Sequence, residues 1–235
     1  MKPKVICHIM GSVDGRILVG RWSLPYNDTP LGDVSKIYSE IGASLDTDAW
    51  TFGKNTITEI FPEKFNASAA SATQQEAGVF KAGRTSKRLF IAIDPEADIR
   101  YSAGKLRGDD MLVVTGRNAT DEYLAFLSNL GISWLVVDDI SNLSEVLETV
   151  NREFGVTSIS LQGGGVMNGG MLCQGMVDEL SYVVYPGIDA TADSVSIFHS
   201  SESPASDISL ELLSVEKRLY GVVWLRYRIH NAKTL

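Results

Sequence analysis

Leu161-Gln162-Gly163-Gly164-Gly165-Val166-Met167-Asn168-Gly169-Gly170 follows directly on a short apolar run, Ser158 to Leu161, and leads into a helical pattern ending near Gly175. Consecutive glycines without Cβ atoms let the chain turn sharply and present bare N–H groups, and a helix N-terminus that follows adds positive potential. The junction is therefore either a cradle for phosphate or simply a tight strand-to-helix turn. Its spacing is not the G-x-G-x-x-G of dinucleotide-binding folds, and it lacks the Lys-Ser/Thr of the P-loop.

Working outward, the same alternation of short apolar runs and helical patterns recurs. Val5 to Met10, Ala49 to Phe52, Leu89 to Ile93, Met111 to Thr115 and Trp134 to Val137 have the length of buried strands. Asp33 to about Gly42, a short helix capped by Asn55 or Thr56, Thr120 to Leu130 and Leu143 to Phe154 carry apolar residues at three- and four-residue spacing. Strands alternating with such helices imply right-handed crossovers and a largely parallel sheet. The end of the chain is different: after the strand-like ELSYVVYP and a polar stretch from Asp189 to Asp207, Leu210 to Val215 and Tyr220 to Ile229 predict an antiparallel hairpin joined at Glu216-Lys217-Arg218. The expected fold is a single α/β domain over residues 1–235 with a mostly parallel, mixed sheet. Residues 63–87, crowded with Ala, Ser, Thr, Gln and Gly, read as a mobile surface loop inside it.

Composition narrows the function. The 235 residues carry 21 Lys+Arg against 29 Asp+Glu, a net charge of −8, with 44% hydrophobic residues. That acidic balance excludes a nucleic-acid groove, which needs clustered excess cation, and leaves an anionic ligand to be held locally. Cys7 and Cys173 show no metal-ligand spacing and read as buried thiols; no metal is expected. No window reaches the ~20 apolar residues of a membrane span, and the N-terminal apolar run is too short for a signal peptide. The expectation is a cytoplasmic protein, for which the Asn-x-Ser/Thr matches at Asn27, Asn66, Asn118 and Asn142 carry no meaning.

Two further strand ends carry polar groups. Gly53, Lys54, Asn55 and Thr56 offer close approach, a cation, an amide and a hydroxyl at a helix start, for a phosphate or for capping alone. Thr115 and Arg117 close another strand, and an Arg fork suits a 2′-phosphate as well as it suits solvent. All three segments lie at carboxyl ends of strands, where open α/β sheets bind ligands. His8 reads as a hydrogen-bonded core histidine, Trp22, Trp50, Trp134 and Trp224 as core and interface packing, and Met167, Met171 and Met176, near helical spacing, as facing the core or a subunit contact.

VICHIMGSVDGRI at the N-terminus, DAWTFGKNT after the first helix and LQGGGVMNGGMLCQGMVDELSYVVYP near the end together resemble the reductase domain of bacterial riboflavin biosynthesis, in the dihydrofolate-reductase-like superfamily. The resemblance implies that superfamily's three-layer fold, a homodimer, and NADPH as hydride donor. It implies cofactor contacts at Ile9, Met10 and Ile17 beside the nicotinamide and at Gly53, Lys54, Asn55, Thr56, Gly163, Gly164, Gly165, Val166 and Met167 along the phosphates. Thr115 and Arg117 would meet the 2′-phosphate, Ser12, Asp14 and Gln162 the substrate, and Asp14 would orient that substrate or relay a proton. The reaction implied is hydride delivery to C1′ of the ribosyl group of 5-amino-6-(5-phosphoribosylamino)uracil. Gln162 stands where the biosynthetic reductases carry an acid, no Asp-Asp-Pro-x-Leu run follows Thr56, and no deaminase signature occurs. A different small carbonyl or pterin-like substrate, or a nucleotide-binding module without turnover, stays open.

Overall fold

The structure, a computed structural model, describes residues 1–26, 29–67, 75–204 and 207–231. Along the chain run β1 (Lys4–Ser12), α1 (Leu31–Ser44), β2 (Ala49–Phe52), α2 (Lys54–Ile60), β3 (Gly78–Phe80), β4 (Leu89–Ile93), β5 (Lys105–Leu106) and β6 (Asp109–Gly116). They are followed by α3 (Asp121–Asn129), β7 (Ser133–Val137), α4 (Leu143–Phe154), β8 (Ser158–Leu161), α5 (Gly165–Cys173), β9 (Glu179–Tyr185), β10 (Ile208–Lys217) and β11 (Val223–Asn231). These elements gather into two compact units, one of Met1–Pro3 with Asp48–Thr157, the other of Lys4–Thr47 with Ser158–Leu235.

In the first unit the strands run β2-β4-β6-β7-β3, parallel except for β3, which is antiparallel to β7; β5 forms a short antiparallel pair with β6. β4 is buried at every position, as expected of a parallel strand covered on both faces. One face packs Trp50, Phe52, Phe90, Met111, Val113 and Val136 against Ile57 of α2 and Tyr123, Leu124 and Leu127 of α3. Thr120 caps α3 by accepting from the Tyr123 N–H, and α4 ends on Gly155 in the left-handed region, φ 67°.

In the second unit β8, β1 and β9 are parallel neighbours, and β11 and β10 continue antiparallel beyond β9. Val34 and Ile41 of α1 pack with Trp22, Val183, Tyr185, Val222 and Trp224.

The predicted α/β class, mixed sheets and antiparallel C-terminal hairpin are all present. Three local expectations change. Asn55 and Thr56 lie inside α2, whose N-cap is Gly53 with no side-chain bond, because the strand turns into the helix one residue after its last pair. The hairpin turn falls at residues 218–222, where Tyr220 and Gly221 take positive φ, so β10 continues to Lys217. Residues 63–87 contain β3, three residues being too few for a period to register, while 68–74 of that stretch lie outside the described residues. No helix among the described residues is long and apolar enough to cross a membrane.

Candidate functional site

In the second unit, β1 delivers Ile9, Met10 and Ser12 to the turn that contains Asp14. Ser12 donates to Asp14 Oδ1 at 2.6 Å, and the backbone N–H groups of Asp189 and Ala190 donate to the same carboxylate at 3.1 and 2.8 Å. The Ser12 hydroxyl, followed by the Ala190 N–H, holds this exposed carboxyl down at about 2, so it is ionised at neutral pH. Asp14 thus ties its own turn to residues 189–190. Ile9 is buried, Met10 and Ile17 half-buried.

At the end of β8, Gln162 is buried with both ends of its amide engaged: Tyr38 Oη donates to Oε1 at 2.5 Å, and Nε2 donates to Ser160 Oγ at 2.7 Å. Gly163 follows with φ 93°, and a Cβ there would lie 3.2 Å from Ile9 Cδ1, so this glycine lets the turn rest on the first strand. The Gly163–Gly164 peptide is cis. Gly164 is the N-cap of α5 with no side-chain cap, and the helix begins at Gly165, Val166 and Met167, whose N–H groups have no acceptor within the helix. Val166 is exposed and Met167 half-buried.

Sequence reasoning missed the residues that support this turn. Tyr38 lies stacked on His8, ring centroids 4.3 Å apart, while holding Gln162. Tyr182 Oη donates to the Ser12 carbonyl at 2.6 Å; burial, with Asp14 nearby, pushes this phenol up to about 12, so it stays a donor. Neither carries a local signal, because each acts on a residue far away in the chain.

In the first unit, Gly53 is buried, Thr56 half-buried and Asn55 exposed. Lys54 does not point to solvent. Its Nζ donates to Asp94 Oδ1 at 2.6 Å and to Asp98, and pairs with Glu96 at 3.0 Å. Burial pulls this ammonium down, but the three carboxylates together outweigh that and hold it above its ordinary range. Asp94 is fully buried and also accepts from Tyr123 Oη at 2.6 Å. Lys54 therefore neutralises an acidic cluster and tethers the start of α2. Thr115 is buried at the end of β6, and its Oγ1 has no hydrogen-bond partner among the described residues. Arg117, half exposed, donates from Nε to Asp138 Oδ1 at 2.7 Å.

These features define a class: an α/β protein in which an uncapped glycine turn opens a helix directly after a strand of a mostly parallel sheet. The chain belongs to the RibD C-terminal domain family, whose model matches residues 3–224. Among solved structures the chain is similar to a pyrimidine reductase-like protein of Corynebacterium diphtheriae, at 15% identity and TM-score 0.66, covering 98% of this chain and 93% of that one. It is also similar to the riboflavin biosynthesis reductase Rib7 of Saccharomyces cerevisiae, at 16% identity and TM-score 0.63, covering 97% and 90%. A third likeness is to the Thermotoga maritima diaminohydroxyphosphoribosylaminopyrimidine deaminase/5-amino-6-(5-phosphoribosylamino)uracil reductase, at 16% identity and TM-score 0.58, covering 97% of this chain and 56% of that one. At these identities the likenesses concern the fold. No curated protein matches the chain.

Proposed function

We propose that this protein is an NADPH-dependent reductase that delivers hydride to a carbonyl or imine carbon of a small substrate, with the ribosyl C1′ of 5-amino-6-(5-phosphoribosylamino)uracil as the first substrate to test. The observation that carries the reading is the junction at 162–167. There an uncapped helix start follows a glycine turn seated against Ile9. A phosphate-bearing cofactor fits these residues. N–H groups at the start of α5 can donate to an anion without any Lys or Arg, which suits a chain of net charge −8. The orphaned Thr115 hydroxyl, with Arg117 two residues on, is a separate place in the first unit for the 2′-phosphate.

When bound, the cofactor supplies the hydride. The protein's own part is positioning and water exclusion. Ile9, Met10 and Ile17 provide the apolar wall. Ser12, the ionised Asp14 and the Tyr38-held Gln162 orient the substrate. Gly53, Asn55 and Thr56 complete the phosphate contacts of the first unit, with Lys54 acting on them through its tether to Asp94. We place the protein in the cytoplasm, in keeping with buried free thiols at Cys7 and Cys173, and assign it a homodimeric state.

Titration with NADPH and with NADH, followed by fluorescence, tests the cofactor. Saturable binding with preference for NADPH is expected, and no saturable binding of either sinks the proposal. Oxidation of NADPH in the presence of the phosphoribosylaminopyrimidine then identifies an enzyme for that substrate. Turnover only with other carbonyl or pterin-like compounds reassigns the substrate. Binding without any turnover identifies a nucleotide-binding module.

A further inference from the structure

The polar stretch between β9 and β10 has no assigned role, yet part of it lies along both segments of the second unit that carry candidate site residues. On one side, residues 194–197 pair with the Asp14 turn. Ile17 N donates to the Val195 carbonyl at 3.0 Å, Ile197 N to the Gly15 carbonyl at 3.0 Å, and Arg16 Nη1 to the Ser194 carbonyl at 2.7 Å. On the other side, His199 N donates to the Gly165 carbonyl at 2.9 Å, and Asn168 Nδ2 donates to the Ile197 carbonyl at 2.8 Å from a fully buried side chain.

The glycines record how closely this segment is seated. A Cβ on Gly165 would collide with the Ser196 carbonyl, and one on Gly169 with the His199 carbonyl. The two are four residues apart and so share one face of α5. A Cβ on Gly11 would lie 2.9 Å from Ile197 Cγ2. Two glycines of the glycine-rich stretch therefore exist to admit a neighbouring backbone.

We propose that residues 194–199 form a positioning strap that carries the Asp14 turn and the start of α5 as one rigid piece, with Gly169 and Ile197 as positioning residues that touch neither substrate nor cofactor. The proposal rests on the reductase reading for its kinetic consequence. Hydride transfer tolerates little displacement, since a shift of about 1 Å can cost roughly 100-fold in rate. Loosening the strap changes where substrate and nicotinamide meet while the N–H groups that hold phosphate stay in place.

The test uses Gly169→Ala, which pushes the strap off α5, and Ile197→Ala, which only trims its contact on Gly11 and cannot clash. Two readouts separate the strap from the reductase reading. Amide hydrogen exchange is expected to rise together at residues 15–17 and at the hydrogen-bonded amides 168–172 of α5, in whichever variant folds. Exchange that changes only within 194–199 overturns the strap. In turnover with NADPH, kcat is expected to fall roughly 10- to 100-fold, with a larger isotope effect from 4-deuterated NADPH and near-normal NADPH affinity. A merely structural role would lower thermal stability and leave the kinetics of the folded fraction at wild type, and that result also overturns the proposal. Wild-type protein that oxidises no NADPH overturns the reductase reading, and the exchange result still decides the strap.

Discussion

His8 Nε2 lies 3.0 Å from the Tyr38 carbonyl, which only accepts, so the ring proton sits there and Nδ1 accepts from Ser181 Oγ, in turn a partner of Trp224 Nε1. Burial pulls this imidazole down to about 4, against the pull of the Tyr38 carbonyl. An unfolded histidine titrates near ~6.5, so between these values the unfolded chain binds more protons than the folded one. The stability contributed by neutral His8 is therefore complete above about pH 6.5 and is lost as the pH falls toward 4, a loss of about 3 kcal/mol. Urea midpoints measured at pH 7 and pH 5 are expected to drop less in His8→Gln than in the wild type, and equal drops would refute the assignment. Arg117 makes a second residue-scale case. Because its guanidinium is already paired with Asp138, a 2′-phosphate must compete for it. Arg117→Ala is expected to reduce the preference for NADPH over NADH, and Asp138→Asn to increase it, in parallel titrations. If neither ratio moves, another residue reads the 2′-phosphate.

At the scale of elements, α5 depends on what its first turn leaves bare. With Gly164 as an uncapped N-cap, an aspartate there would cap the helix itself and put negative charge where an anion is proposed to sit. Gly164→Asp is therefore expected to hold or raise thermal stability while weakening NADPH binding strongly; unchanged affinity in the folded variant would remove the site from this helix. β10 shows a different device. A bulge between Leu212 and Ser214 shifts the register, so Val215 pairs with Leu225 on the same side as Leu210 and Leu212, which pair with Ile229 and Tyr227. The opposite side carries Glu211 with Arg228 and His230, and Glu216 with Arg218. The alternation of β10 was legible as strand, but the apolar side was not, because unbroken alternation would have set Ser214 and Glu216 beside Leu212.

For the whole molecule, that side of β10 is the candidate for self-association. Leu210, Leu212 and Val215 are each more than half exposed, at 54%, 54% and 57%, on the last strand of the second unit's sheet, where the backbone edge has no strand neighbour among the described residues. Light scattering is expected to give the mass of a dimer for the wild type and of a monomer for Leu212→Glu; a monomeric wild type would refute the homodimer. Short apolar runs, helical spacing and glycine turns made the α/β class, the order of elements and the family resemblance readable from sequence, because each is a property of neighbouring residues. Sequence could not say which groups are already spent. Lys54 reaches Asp94, 40 residues on, and Tyr38 reaches Gln162, 124 residues on. Only the folded chain turns a cation that seemed ready for phosphate into a tether, and shows Gly165 and Gly169 to be places where a neighbouring backbone comes close. Long-range packing, and not local pattern, decides which polar groups remain for a ligand.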